Sequence, residues 1–221
     1  MYNDPASRHQ PAALSLSTNL FNQLRSDILQ GKLKPGEKLT EQRVCNEYTV
    51  SRTPVREAFQ KLEIDGLIET IPNRGAFVVG ITKRDIEDMY ELRKAYEAIA
   101  VKWAIERITN QEFEALLEAY EFMEFYTMKK DPDKMLNINM SFHQLIYNAA
   151  HNRMLLHVLT SYQVYTKQTK TNYRYVDGYL DEVLAEHRQI LQAFKDKDPE
   201  AGAKAVIQHL DNAKRRAQVE S

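Results

Sequence analysis

Cysteine, glycine, proline and long apolar runs are all scarce in this 221-residue sequence, and their scarcity excludes several classes of protein. The single cysteine, Cys45, rules out an internal disulfide framework and any cysteine-based zinc finger. The apolar runs fall far below the ~18 residues that a membrane-spanning helix needs, so no membrane partner is expected. The first residues lack the charged start and apolar stretch of a signal peptide, which predicts a cytoplasmic protein.

Neither sign of charge is in excess. Thirty Lys and Arg stand against 31 Asp and Glu, and the formal net charge is −1. Charged residues make up 28% and hydrophobic residues 43%, which is ordinary for a globular protein and argues against a disordered chain. The near-neutral charge also argues against a nucleic-acid binder, unless a few well-placed cations make the contacts.

The seven glycines are distributed unevenly along the chain. Five lie within the first 80 residues, and only Gly178 and Gly202 follow. Turn-forming residues therefore concentrate in the first third, and the remainder is typical of long helices with short connections. We predict a flexible tail over residues 1–16, a first domain over 17–81 and a second domain over 82–221.

The first domain has the predicted order helix, helix, short turn, helix and two-stranded β-hairpin. A hydroxyl residue that can cap a helix precedes each helix: Ser17 or Thr18, Thr40 and Ser51. The third helix, over about residues 52–65, has Pro54 in its first turn, where no backbone N–H is needed. Two short strands joined by residues 72–75 follow. This order predicts a winged helix-turn-helix.

Hydroxyl and cationic side chains gather at the start of the third predicted helix: Ser51, Arg52, Thr53 and Arg56. A recognition helix presents its N-terminal residues to base edges in the major groove, where an arginine can read guanine through paired donors. Arg74 at the hairpin tip could enter the minor groove or touch phosphate. Taken singly, each residue is better explained as a helix cap or a solvated charge, but the ordered set favours DNA.

Three motifs in this region, GEKLTE at 36–41, VSRTPVREA at 50–58 and PNRGAFV at 72–78, closely resemble a known domain. It is the DNA-binding domain of the GntR family of bacterial transcription regulators, and the resemblance covers about residues 20–80. It implies double-stranded operator DNA as the partner. The implied contacts are Arg52, Thr53, Arg56 and Arg74, with Ser51, Asn73 and Gly75 beside them and Arg43 as a further candidate.

The second domain is predicted to be an all-α bundle of six or seven helices, so that the whole fold is mainly α. The motifs ELRKAYE at 91–97, NMSFH at 139–143 and AEHRQIL at 185–191 resemble the FCD domain of the FadR-type branch of the same family. That resemblance implies a homodimer, most often a repressor. Its operator affinity would be modulated by a small effector, expected to be a carboxylic acid.

Three histidines and one asparagine correspond to metal ligands of the FCD domain. Asn139 and His143 are four residues apart, so they share one face of a helix, and His187 and His209 belong to the last two helices. The resemblance implies a divalent-metal site of one aspartate and three histidines. Asn139 departs from it, since its neutral carbonyl oxygen replaces a carboxylate. Imidazole-rich sites favour Zn²⁺ or Ni²⁺, which we predict as the cofactor.

Arg93 matches an arginine of the FCD domain and is predicted to bind the effector's carboxylate. The alternative is a salt bridge with Glu97, four residues further along the same helix. Of the other histidines, His9 lies in the predicted tail, whereas His151 and His157 match no ligand position and are interpreted as structural or exposed.

Two other functions are compatible with the histidines. They could bind an organic effector directly, without a metal. A helical metallohydrolase with a DNA-binding appendage is also conceivable, because three histidines and an open metal position can activate water. It lacks an HExxH motif and a placed general base, since Glu186 is the neighbour of His187 and adjacent helical residues point apart. We therefore predict a regulator and not an enzyme.

Overall fold

The computed structural model describes residues 15–72, 74–169 and 178–218, with the backbone alone at 167–169, 217 and 218. Within these residues the chain divides into two compact units, one ending at Ile81 and the other beginning at Thr82. No helix in the described ranges combines the length and the hydropathy needed to cross a membrane.

The first unit is built on three helices: α1 (Leu16–Leu29), α2 (Glu41–Tyr48) and α3 (Arg52–Ile64). Ser15 caps α1 by accepting a hydrogen bond from the Thr18 amide, so the predicted caps, Ser17 and Thr18, are wrong. Three hydroxyl residues crowd this helix start, and Ser17 is buried inside the first turn. The sequence alone does not show which of the three is buried by packing.

A short antiparallel sheet completes the first unit. Its strands are β1 (Lys38–Leu39), β2 (Ile68–Ile71) and β3 (Gly75–Val78), in the order β1-β3-β2. The predicted hairpin is confirmed as β2 and β3, which pair Ile68 with Val78. The strand β1 was not predicted, because two residues are too few to show the alternation that marks a strand.

The second unit is wholly helical in its described residues, as predicted. Its six helices are α4 (Lys83–Arg107), α5 (Asn110–Met128), α6 (Pro132–Ala149), α7 (Arg153–Thr169), α8 (Tyr179–Asp196) and α9 (Pro199–Gln218). Capping boxes define two of the starts: Thr82 with Asp85 at α4, and Thr109 with Glu112 at α5. Such local signals explain why these helix starts could be predicted from sequence.

Helix α9 lies unusually close to α4 at Gly202. A Cβ atom on Gly202 would lie 2.6 Å from Ile105 Cδ1 and 2.7 Å from Val101 Cγ1. Carbon atoms do not approach so closely without displacement, so the missing side chain permits the contact. This matters for function, because α9 carries one of the predicted metal ligands.

We expect the Gly202→Val substitution to lower the free energy of unfolding by about 2 kcal/mol, since overpacking a tight helix contact typically costs that much. Urea denaturation of the purified protein measures the change. The matched control is Ala201→Val, which places the same β-branched residue on the exposed face of the same helix. Equal destabilisation by both variants would contradict the close α4–α9 contact.

Candidate DNA interface and metal centre

The first turn of α3 is exposed and polar. Ser51, Arg52 and Thr53 are all exposed. Ser51 occupies the N-cap position, but its hydroxyl makes no capping hydrogen bond. The N-terminus of a helix carries partial positive charge, which favours an anion such as phosphate beside these side chains. The predicted base-reading residues therefore lie at the surface, at a helix end suited to a nucleic-acid backbone.

Two hydrogen bonds join the start of α3 to α2. Arg52 Nη2 donates to Gln42 Oε1 at 3.3 Å, and Arg56 Nε donates to Glu41 Oε1 at 2.8 Å. The Arg56 side chain remains 64% exposed in this ion pair. A surface pair contributes little to stability, so Arg56 can exchange Glu41 for a phosphate at small energetic cost.

The hairpin of β2 and β3 forms the wing, with Arg74 exposed beside its tip. The Arg74 guanidinium carbon lies 5.8 Å from the centroid of the Phe77 ring. Gly75 has φ +100°, a backbone conformation that L residues with a side chain rarely adopt. Glycine is thus required for the turn that positions Arg74. The remaining wing candidate, Asn73, lies outside the described residues.

Arg43 differs from the other cationic candidates. Its Nε donates to Glu47 at 2.7 Å and its Nη1 donates to Glu37 at 2.6 Å. These two carboxylates raise its pKa further above the ordinary arginine value. Arg43 therefore connects α2 to the turn before β1, and DNA contact would compete with two existing partners.

The predicted metal ligands meet in the interior of the second unit. His143 on α6, His187 on α8 and His209 on α9 are all buried. One ring nitrogen from each lies within 4.8 Å of the other two. Asn139, one turn before His143 on α6, is also buried, and its Oδ1 has no hydrogen-bond partner.

The partners of the three imidazoles determine which nitrogen is protonated. His187 Nδ1 lies 2.7 Å from the Val183 carbonyl oxygen, which can only accept, so Nδ1 carries the hydrogen. His209 Nδ1 donates in the same way to Glu186 at 2.8 Å. Burial lowers the pKa of His209 to about 4, so this ring is neutral at pH 7.

His143 follows the same pattern through Glu97. Its Nδ1 lies 3.2 Å from Glu97 Oε2, a close contact that falls short of hydrogen-bond geometry. All three rings therefore turn Nδ1 towards an acceptor, and in His187 and His209, whose Nδ1 donates a hydrogen bond, Nε2 is the atom with the lone pair. A metal-binding histidine is typically held by this kind of outer hydrogen bond.

The separation between two of the Nε2 atoms fits a metal. His143 Nε2 and His187 Nε2 lie 3.2 Å apart, within hydrogen-bond distance, and His187 Nε2 is an acceptor because Nδ1 of that ring carries the hydrogen. Two lone pairs at that distance repel unless a metal ion or a proton lies between them. Two imidazoles on one tetrahedral Zn²⁺ place their nitrogens about 3.3 Å apart, as bond lengths of about 2.0–2.1 Å require. The residues present therefore fit a divalent metal ion.

Arg93 is buried in an ion pair. Its Nη2 lies 2.7 Å from Glu97 Oε1, and its Nη1 donates to Thr166 Oγ1 at 3.2 Å. The salt bridge between Arg93 and Glu97, predicted as the alternative to effector binding by Arg93, is therefore present, and it is buried. Burial alone would raise the pKa of Glu97, but Arg93 and His143 more than offset this and hold it well below its ordinary value.

Glu186 has an equivalent position behind His209. It accepts both Arg216 Nη atoms at 2.7 and 2.8 Å and the Asn212 amide at 2.7 Å. Burial alone would raise the pKa of Glu186, but Arg216 and His209 lower it to about 2. Glu186 thus holds His209 in place, and its carboxylate is occupied by hydrogen bonds from His209, Asn212 and Arg216 instead of being free to act as a general base.

Sequence reasoning did not assign Glu97 and Glu186 to the centre. The spacing of Arg93 and Glu97 predicted a salt bridge between them, but no feature of the sequence predicted that α4 packs against His143. Of the remaining histidines, His151 is exposed beside Glu112, His157 is exposed, and His9 lies outside the described residues.

The two units define a class of protein. A winged helix-turn-helix with exposed arginines at its recognition helix, followed by a helical unit with a buried polar centre, is the arrangement of a DNA-binding transcription regulator. Residues 16–78 match the model of the bacterial regulatory proteins of the gntR family, and residues 88–212 match that of the FCD domain. The chain belongs to the GntR family of bacterial transcription regulators, in the branch with a C-terminal FCD domain.

Named relatives agree with this assignment. The HTH-type transcriptional regulator YdhC of Bacillus subtilis is 30% identical over 193 residues, which cover 87% of this chain and 86% of that protein. The HTH-type transcriptional repressor RspR of Escherichia coli is 29% identical over 199 residues, with 88% and 86% covered. These are regulators and not enzymes, so the metallohydrolase interpretation is set aside.

A solved structure has a similar fold. E. coli McbR/YncC superimposes with a TM-score of 0.71 at 24% identity, over 95% of this chain and 100% of that one. This likeness confirms the fold class: a winged helix-turn-helix followed by a helical bundle.

Proposed function

We propose that this regulator is a homodimeric repressor, acting in the cytoplasm, whose affinity for operator DNA changes when a carboxylic-acid effector binds at a metal ion in the helical unit. The observation that carries the proposal is the convergence of one ring nitrogen from each of three histidines, on α6, α8 and α9. His143, His187, His209 and Asn139 would hold Zn²⁺ or Ni²⁺. The metal would supply an open coordination position for a carboxylate oxygen.

The proposed DNA surface consists of the exposed residues at the start of α3 and at the wing. They are Ser51, Arg52, Thr53, Arg56, Asn73, Arg74 and Gly75, with Arg43 as a secondary candidate. A dimer would place two such surfaces on a pseudo-palindromic operator. The repressor assignment is supported by the names of relatives, including RspR.

Arg93 is proposed as an effector ligand in addition to its partners Glu97 and Thr166. A buried guanidinium has five N–H donors, so a carboxylate can share it with those two groups. Effector binding would alter DNA affinity only if the two DNA-binding states bind the effector with different affinities.

We expect untagged protein to hold about one Zn²⁺ or Ni²⁺ per chain, measured by elemental analysis after loading and dialysis. The His143→Ala variant should lose the stoichiometric metal, because a buried ligand is removed. The matched control His157→Ala removes an exposed histidine of α7 and should keep it. Absence of metal in the loaded wild-type protein would favour direct, metal-free binding of the effector by the histidines.

The effect on DNA is tested with an operator selected from a random duplex library by the purified protein. Chelation of the metal should change the gel-shift affinity for that operator. An affinity that is the same with and without metal would contradict the coupling of the centre to DNA binding.

A further inference from the structure

We propose that the buried centre binds a divalent metal ion and an anion interdependently, because its own side chains contribute no net negative charge. The inference rests on the proposed metal site and extends it to the conditions under which that site is filled. If the inference is correct, the affinity of the site for the metal depends on the anion that binds with it.

The groups closest to the metal position supply no negative charge. His143, His187 and His209 each offer a ring nitrogen, and an imidazole nitrogen brings no negative charge to a metal ion. Asn139 offers an amide oxygen, buried and without a hydrogen-bond partner. Unlike a carboxylate, an amide oxygen brings no charge to the ion.

The nearby carboxylates do not supply the missing charge either. Glu97 is paired with the buried Arg93 at 2.7 Å, and Glu186 is paired with both Nη atoms of Arg216. The negative charge of each carboxylate is therefore compensated by the positive charge of the arginine paired with it.

A divalent ion would thus bring two uncompensated positive charges into a buried site. Burying unpaired charge is strongly unfavourable, and an anion at an open coordination position compensates it directly. If the anion raises the affinity for the metal, thermodynamic linkage requires the metal to raise the affinity for the anion by the same factor. The protein would then respond to the joint presence of metal and anionic effector.

The test measures Ni²⁺ affinity by competition with a chromophoric chelator, with acetate as the anion and nitrate at equal ionic strength as the reference. Free Ni²⁺ is buffered so that acetate's own weak metal binding does not matter. We expect acetate to tighten Ni²⁺ binding to the wild-type protein about 10-fold, within the usual range of coupling between sites. Equal affinity in acetate and nitrate would overturn the proposal.

A near-isosteric substitution gives an independent readout. The Asn139→Asp variant supplies the missing charge, so it should bind Ni²⁺ about 10-fold more tightly in nitrate and show a much smaller acetate effect. Asn137→Asp makes the same chemical change at an exposed position of α6 and should resemble the wild type. An unchanged Ni²⁺ affinity of Asn139→Asp in nitrate would contradict the charge argument.

Failure of this inference is distinguishable from failure of the proposed function. Stoichiometric Ni²⁺ binding with an affinity that does not depend on acetate would reject the interdependence but remain consistent with the proposed metal site. Absence of stoichiometric Ni²⁺ in acetate and in nitrate rejects both.

Discussion

The Arg52→Ala variant is expected to lose retention of operator DNA in a gel shift while keeping its fold. Arg52 is exposed in the first turn of α3, where a guanidinium can reach a guanine through two donors. One such contact is worth roughly 1–3 kcal/mol, so two per dimer amount to roughly 2–6 kcal/mol, or about 30-fold to 10⁴-fold in affinity. The structural consequence is small, because Arg52 gives up only a 3.3 Å hydrogen bond to Gln42.

The matched control is Arg84→Ala, which removes the same charge from an exposed arginine of α4. Arg84 is 88% exposed and its partner Asp88 lies at 3.7 Å, so neither fold nor specific DNA contact should depend on it. Both variants should show wild-type circular dichroism and urea midpoints. Operator binding by Arg52→Ala that matches the Arg84→Ala control would disprove the assignment of α3 as the recognition helix.

The near-neutral charge of the chain limits how it can bind DNA. One of its candidate cations, Arg43, is already paired with two glutamates of the same unit. The number of phosphates that one unit can neutralise is therefore small, and counterion release scales with that number. A dimer doubles the contacts, which is how this composition can still give a specific operator binder.

Much of the fold could be predicted because its boundaries are set by local chemistry. Thr82 and Thr109 form capping boxes with residues three positions later, and such pairs are visible in the sequence. The strand β1 could not be predicted, because Lys38 and Leu39 become a strand only by pairing with β3. The prediction of the residue that caps α1 was wrong for a similar reason, because the burial of Ser17 depends on packing that cannot be inferred from the sequence.

The candidate metal site also contains residues that the sequence predicts and residues that depend on tertiary packing. The histidines were found because their residue types and order match the FCD domain, and the structure brings them together. Glu97 and Glu186 were not assigned, because their roles depend on which helices face His143 and His209. The sequence therefore predicts the residues nearest the proposed metal, whereas the outer residues that orient them follow only from the packing of α4, α8 and α9.

The Arg93→Met variant is expected to lose about 3–5 kcal/mol of unfolding free energy at pH 7, measured by urea denaturation of the metal-free protein. Arg93 and Glu97 are both buried, and removal of one partner leaves the other charge uncompensated in the interior. Methionine keeps much of the apolar volume of the arginine stem, so the loss reports charge and hydrogen bonding more than a cavity.

The pH dependence separates this mechanism from a packing defect. In the wild type the folded-state pKa of Glu97 is depressed, so its stabilising contribution is complete above the unfolded value of about 4.5 and is lost only at lower pH. In Arg93→Met, burial instead raises the folded-state pKa above the unfolded value. The variant should therefore regain stability relative to the wild type as the pH falls from 7 towards 4.5, because protonation removes the buried charge.

The double variant Arg93→Met/Glu97→Met tests whether the lost stability comes from the unpaired charge or from packing. Replacing both members of a buried ion pair by apolar residues is often close to neutral, so most of the lost stability should return. The metal affinity should instead fall below that of Arg93→Met: without Glu97, His143 loses the acceptor opposite its Nδ1, and loss of such an outer group typically weakens metal binding about 10–100-fold. A double variant as unstable as Arg93→Met would mean that the loss comes from packing. Recovery of stability together with weaker Zn²⁺ or Ni²⁺ binding than in Arg93→Met would assign Glu97 the role of orienting His143.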